Sequence, residues 1–243
     1  MNTQLGVWLA QLMATDAPAL PSAWAMQLWL HLGWSVVLAC AGASLVGRWM
    51  PGRAGRLDGR QWAVALVLAV WTWLPGPYAP AHWLGLAFQA PSVAAVLLCD
   101  ALLRRRFFPS RPGPTNADGP SRVAMALAWA GVLLGWALVL DSFALLPVQL
   151  YAWGFSPAAV VLVLALALLP WAVGRWSRPV GPTRLWVVPI AVLVFAVWRL
   201  PSGNVWDAVL DPCLWLVLHW VVVRAAWARR THRLASNGAT VEV

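Results

Sequence analysis

The chain has 243 residues, of which 61% are hydrophobic and only 10% charged. Its mean hydropathy is +0.70. A soluble domain carries roughly a quarter charged residues, so this composition could not cover a water-facing surface and excludes a soluble globular protein. The net charge of +9 would suggest nucleic acid in a soluble protein, but here the basic residues sit in short loops between apolar runs, which is the signature of membrane topology.

Residues 1–20 contain no arginine, so they lack the basic start of a signal peptide and are expected to form an extracytoplasmic tail. Seven apolar runs follow, predicting one all-α membrane domain over residues 21–228. The expected helices span 21–46, 61–74, 81–103 (interrupted by Pro91), 123–146, 157–173, 185–198 and 208–227, and a cytoplasmic tail over 229–243 closes the chain. Pro170 and Pro189 lie inside the fifth and sixth runs.

Seven spans put the termini on opposite sides, and arginine decides which. All seventeen basic residues are arginine. Arg48, Arg53, Arg56 and Arg60 follow the first helix. Arg104, Arg105, Arg106, Arg111 and Arg122 follow the third. Arg175, Arg178 and Arg184 follow the fifth, and Arg224, Arg229, Arg230 and Arg233 end the seventh. Only Arg199 falls on the other side. Cytoplasmic loops collect arginine, so the N-terminus is expected outside and the C-terminus inside. Arginine without lysine, with abundant alanine, glycine, proline and tryptophan, suggests a GC-rich bacterial genome, hence a multi-pass protein of the inner (cytoplasmic) membrane.

Twenty tryptophans stand against six phenylalanines and two tyrosines. Trp24, Trp49, Trp62, Trp73, Trp83, Trp153, Trp176, Trp186, Trp198, Trp206 and Trp227 fall near expected helix ends, where an apolar ring with a donor N–H suits the membrane interface. Trp29, Trp34, Trp129, Trp136 and Trp215 fall deeper and are expected to pack between helices. Cys40, Cys99 and Cys213 show no paired spacing and read as small apolar residues.

The chain has no phosphate-binding loop, dinucleotide fingerprint, zinc-protease motif or nucleophile elbow, so catalysis is not indicated. Two constellations remain. The second and sixth runs are apolar for about fourteen residues, roughly 21 Å against a hydrocarbon core of about 30 Å. Short segments in corresponding positions point to a transporter-type site. The polar residues after them, Tyr78, His82, Arg199, Asn204, Asp207 and Asp211, with Asp141 from the fourth run, would form an outward-facing polar vestibule. The alternative is structural: Arg199 offsets a helix dipole, Ser202-Gly203-Asn204 turns the chain, and Asp211-Pro212 starts the next helix. On that reading Arg199 is expected to pair with Asp207 or Asp211.

His31 and His219 lie at similar depths, roughly 13 and 10 Å from the outer side. Facing histidines could ligate a b-type haem, but a neutral imidazole bonded to a neighbouring carbonyl or indole accounts for each. No cofactor, metal or nucleic acid is expected; the expected partners are the lipid bilayer and a membrane-protein complex. The function favoured is that of a non-catalytic accessory or assembly subunit, with a small-solute or ion transporter and a haem electron carrier as alternatives.

Overall fold

The computed structural model describes residues 14, 18–49, 59–107, 122–174 and 186–239, and among them the chain is all-helical, with no strand. The helices are α1 (Ala23–Trp49), α2 (Gly59–Trp71), α3 (Pro80–Phe88), α4 (Val93–Phe107) and α5 (Arg122–Ser142). They continue with α6 (Leu150–Trp153), α7 (Pro157–Gly174), α8 (Val187–Trp198), α9 (Val205–Val209) and α10 (Pro212–Ala239). A 3₁₀ turn covers Gly76–Tyr78. Two helices, Ala23–Trp49 and Ala124–Ser142, are long and apolar enough to cross a membrane by length and composition. Segments Pro157–Leu169 and Val187–Trp198 are apolar but shorter.

The break expected at Pro91 divides the third apolar run into α3 and α4. Proline removes a backbone donor and pushes the preceding residue out of the helical region. Gln89 turns the chain with φ 63°. A break frees backbone carbonyls that need partners where water is scarce. Two indoles of α1 supply them: Trp34 Nε1 donates to Gln89 O at 3.0 Å, and Trp29 Nε1 donates to Pro91 O at 2.9 Å. The seventh run is likewise divided, into α9 and α10. Past residue 228, where a tail was expected, α10 continues as helix to Ala239.

Helices α1 and α2 pack as an antiparallel pair. At the arginine end a Cβ on Gly47 would lie 2.8 Å from the Gln61 amide nitrogen. At the other end Ser35 and Thr72 share a hydrogen bond between their hydroxyls, and the Thr72 hydroxyl donates to Ala69 O at 2.6 Å. Helices α5 and α10 form a second antiparallel pair. Gly135 lies against the Trp215 indole, whose Nε1 donates to Val132 O at 3.1 Å. The main core joins α4, α7, α8, α9 and the start of α10 around Phe195, Val192, Val93, Ala159 and Val205. Side chains packed this closely gain about 0.1–0.2 kcal/mol per carbon–carbon contact from dispersion.

Tryptophan divides partly as expected. Trp24, Trp49, Trp62, Trp73, Trp83, Trp186, Trp198 and Trp227 are exposed, and Trp34 is buried. Trp206, expected at an interface, is only 5% exposed and belongs to the core. Trp129 and Trp136, expected between helices, are each 49% exposed. Trp176 lies outside the described residues.

Candidate functional site

The polar residues opposite the arginine end fall into three groups. The first is built around Tyr151, at the start of the short helix α6. Its hydroxyl donates to Asp207 Oδ2 at 2.8 Å, and its backbone N–H donates to Asp141 Oδ2 at 2.7 Å. Its carbonyl accepts from the Asn204 side-chain amide at 2.8 Å. Asn204, fully buried, also caps α9, its Oδ1 accepting from Trp206 N at 3.0 Å. Trp206 Nε1 donates to Leu150 O at 2.9 Å, and the Ser202 hydroxyl donates to Asp207 Oδ2 at 2.5 Å. Gly154 belongs here because a Cβ would collide with Asn204 Oδ1 and the Trp206 ring. The loop around α6 is thus tied by hydrogen bonds to the loop before α9. Burial pushes the Asp207 carboxyl above its ordinary range against the hydrogen bonds of Ser202 and Tyr151, which hold it down. Burial and the neighbouring Asp207 push the Tyr151 phenol upward as well.

The second group is Asp211, and its partner comes from another helix. Asp211 Oδ1 accepts from Leu214 N at 2.8 Å, which caps α10. Its Oδ2 accepts from Ser92 N at 2.9 Å and from the Ser92 hydroxyl at 2.6 Å. Ser92 caps α4, its hydroxyl accepting from Ala95 N at 3.1 Å. One carboxylate therefore sits at the N-termini of two helices, where both dipoles favour negative charge. Ser92 is fully buried and Asp211 nearly so.

The third group stands apart. Tyr78 is exposed, with its carbonyl accepting from Trp71 Nε1 at 2.9 Å. His82 meets Trp83 edge to face at 5.2 Å. Among the described residues neither bonds to the acids. The Arg199 pairing is not formed: the residue ends α8 in the left-handed region with φ 57°, and its guanidinium lies 5.3 Å from the centre of the Phe195 ring. Asp207 and Asp211 already accept from other donors, and the turn at Arg199 sends the side chain back over its own helix. Asp100 pairs instead with Arg104, one turn further along α4, at 2.7 Å.

Of the residues expected from sequence, Asp141, Asn204 and Asp207 come together, and Asp211 joins a different helix. Sequence reasoning missed Tyr151 and Ser92. Tyr151 is one of only two tyrosines, a signal that was available. Ser92 carries an N-cap signal, directly after Pro91 and before an apolar run, but nothing in the sequence marks its bond to Asp211.

The histidines have separate surroundings. His31 Nδ1 donates to Thr72 O at 2.6 Å, and the ring stacks on Trp73 at 5.5 Å. His219 Nε2 accepts from Trp136 Nε1 at 3.1 Å, which leaves the proton on Nδ1 to reach Trp215 O at 2.9 Å. Both nitrogens of His219 are thereby engaged. Among the described residues no group of three or more His, Cys, Asp or Glu has metal-binding geometry.

No protein-family model, curated protein or solved structure matches the chain.

Proposed function

We propose that the chain is a seven-span protein of a bacterial inner membrane, N-terminus outside and C-terminus cytoplasmic, acting as a non-catalytic accessory or assembly subunit of a membrane complex. The one-sided distribution of arginine and the apolar helices support the topology. One observation carries the functional reading: the polar side chains that could do chemistry are spent on each other. Asp211 is held by Ser92 and Leu214, Asp207 by Tyr151 and Ser202, and Asp141 by the Tyr151 backbone. Carboxylates that cap helices and tie loops serve architecture, and a well-braced bundle with exposed apolar helix faces suits a subunit that packs against others.

A second reading, a small-solute or ion transporter, draws support from the α3–α4 break, since discontinuous helices often form transport sites. Here the α4 N-terminus, which would attract an anion, already holds the Asp211 carboxylate, and for that reason we favour the accessory role.

Two experiments test the proposal. Reporter fusions after Arg56, Arg111, Arg178 and Arg233 should read cytoplasmic, and fusions near Tyr78, Val148 and Ser202 external; one inverted loop breaks the seven-span arrangement. The tagged full chain, extracted in mild detergent, should migrate in a larger assembly with the same polypeptides in fixed ratio. A chain that migrates alone, and whose reconstituted vesicles move a solute, assigns it to transport instead.

A further inference from the structure

Cys40 and Cys99 are far apart in sequence, but the packing of α1 on α4 brings them level. The two helices run in the same direction, each ending in arginine, at Arg48 and at Arg104–Arg106. Their register is pinned at the start of α4. Trp29 and Trp34 donate to Pro91 O and Gln89 O, and a Cβ on Gly33 would lie 2.9 Å from Pro91 Cγ. From Gly33 to Cys40 is about 10 Å along α1, and from Val93 to Cys99 about 9 Å along α4, at 1.5 Å per residue. The thiols therefore arrive at the same height, and Cys99 packs against the cluster that holds Cys40. Around them Ala39, Ala43 and Ala65 are small, which lets the backbones approach as a disulfide requires. Cys40 is buried at 6% exposure, whereas Cys99 is partly exposed. Cys213 opens α10, near the opposite end of the bundle.

We propose that Cys40 and Cys99 are a dithiol site that forms a reversible disulfide between α1 and α4 by exchange with a disulfide oxidant. One thiol of the pair loses its proton and attacks one sulfur of the oxidant. A mixed disulfide forms, and the first thiol of the oxidant leaves. The other thiol of the pair then loses its proton and attacks the sulfur of the first. The Cys40–Cys99 bond forms, and the second thiol leaves with the electron pair of the broken bond. The protein dithiol is oxidised, and one disulfide is reduced to two thiols. The product is neutral, so it suits a buried apolar position better than a thiolate does. It fixes α1, and through it α2, to the helix whose N-terminus holds Asp211. This inference stands apart from the accessory-subunit reading, since it concerns two thiols that reading does not use.

The test uses full-length Cys213→Ala protein in detergent, treated with 2,2′-dithiodipyridine. The expected result is two pyridinethiones released per chain, no pyridylthio group retained, a mass lower by two hydrogens, and a Cys40–Cys99 linked peptide after digestion. Adding Cys40→Ser should leave one pyridylthio group on Cys99. If the Cys213→Ala protein does not fold, the wild-type chain should release three pyridinethiones and keep one adduct, on Cys213. Retention of adducts on both Cys40 and Cys99, failure of both to react in the folded protein, or linkage of either between two chains would each overturn the proposal.

Discussion

Replacing Asp211 with alanine removes one carboxylate from two helix starts at once. Loss of an N-cap costs about 1 kcal/mol. On the α4 side, Ser92 is fully buried and both of its donors lose their acceptor. A buried donor left unpaired costs about 1–3 kcal/mol. The sum for Asp211→Ala is roughly 3–7 kcal/mol. For a chain of this size, about 2–4 °C per kcal/mol converts this into a fall of roughly 6–28 °C. Asp211→Asn keeps one acceptor oxygen for Leu214 N but offers an amide N–H₂ to Ser92, so its expected loss is about 2 kcal/mol. Arg199→Ala is the control: it loses only the contact with Phe195, about 0.5–1 kcal/mol. The assay is thermal unfolding in detergent followed by tryptophan fluorescence, with amide exchange at Val93–Leu98 as the local readout. An Asp211→Ala protein within about 2 °C of wild type, below the effect of a single lost cap, would refute the two-helix account. So would exchange that rises in α10 but not in α4.

Gly135→Ala places a Cβ into the Trp215 indole and should cost about 1–3 kcal/mol by overpacking; unfolding in detergent checks it, and an unchanged midpoint would mean that α5 and α10 do not pack this closely. Ala144 holds the left-handed position after α5 with φ 53°, where Leu145 N donates to Leu140 O and Ala144 N to Asp141 O. Ala144→Gly should therefore stabilise the protein by about 1 kcal/mol, read as a raised midpoint. Asp207 has a folded pKa above its ordinary 3.8, so its contribution to stability is complete below that value and declines as pH rises through the folded pKa. Asp207→Asn does not titrate, so its unfolding midpoint relative to wild type should climb across that same window; a constant difference from pH 3 to pH 8 would contradict the burial of the carboxylate.

Local chemistry was legible in the sequence wherever neighbours along the chain decide the outcome. Apolar runs marked the helices because they are too long for strands and are bounded by proline, glycine and arginine. Pro91 marked the division of α3 from α4, and Asp211-Pro212 marked the start of α10, because a cap and its partner lie within one turn. Asp100 and Arg104 paired for the same reason. Interactions between distant segments were not legible. Ser92 meets Asp211 across 119 positions, and only the packing of α4 against α9, just before the start of α10, decides that meeting. Tyr151 became the centre of the polar loops because the chain around α6 lies over Asn204 and Trp206, which also drew Trp206 from its expected interface into the core. Arg199 stood within a few residues of two aspartates and paired with neither, since backbone direction at φ 57° outweighed nearness in sequence. Cys40 and Cys99 looked scattered until two indoles and a glycine set the register of α1 on α4. A sequence states each residue's preference for its own backbone and solvent, whereas which preferences meet depends on helix contacts whose energies are summed over the whole bundle.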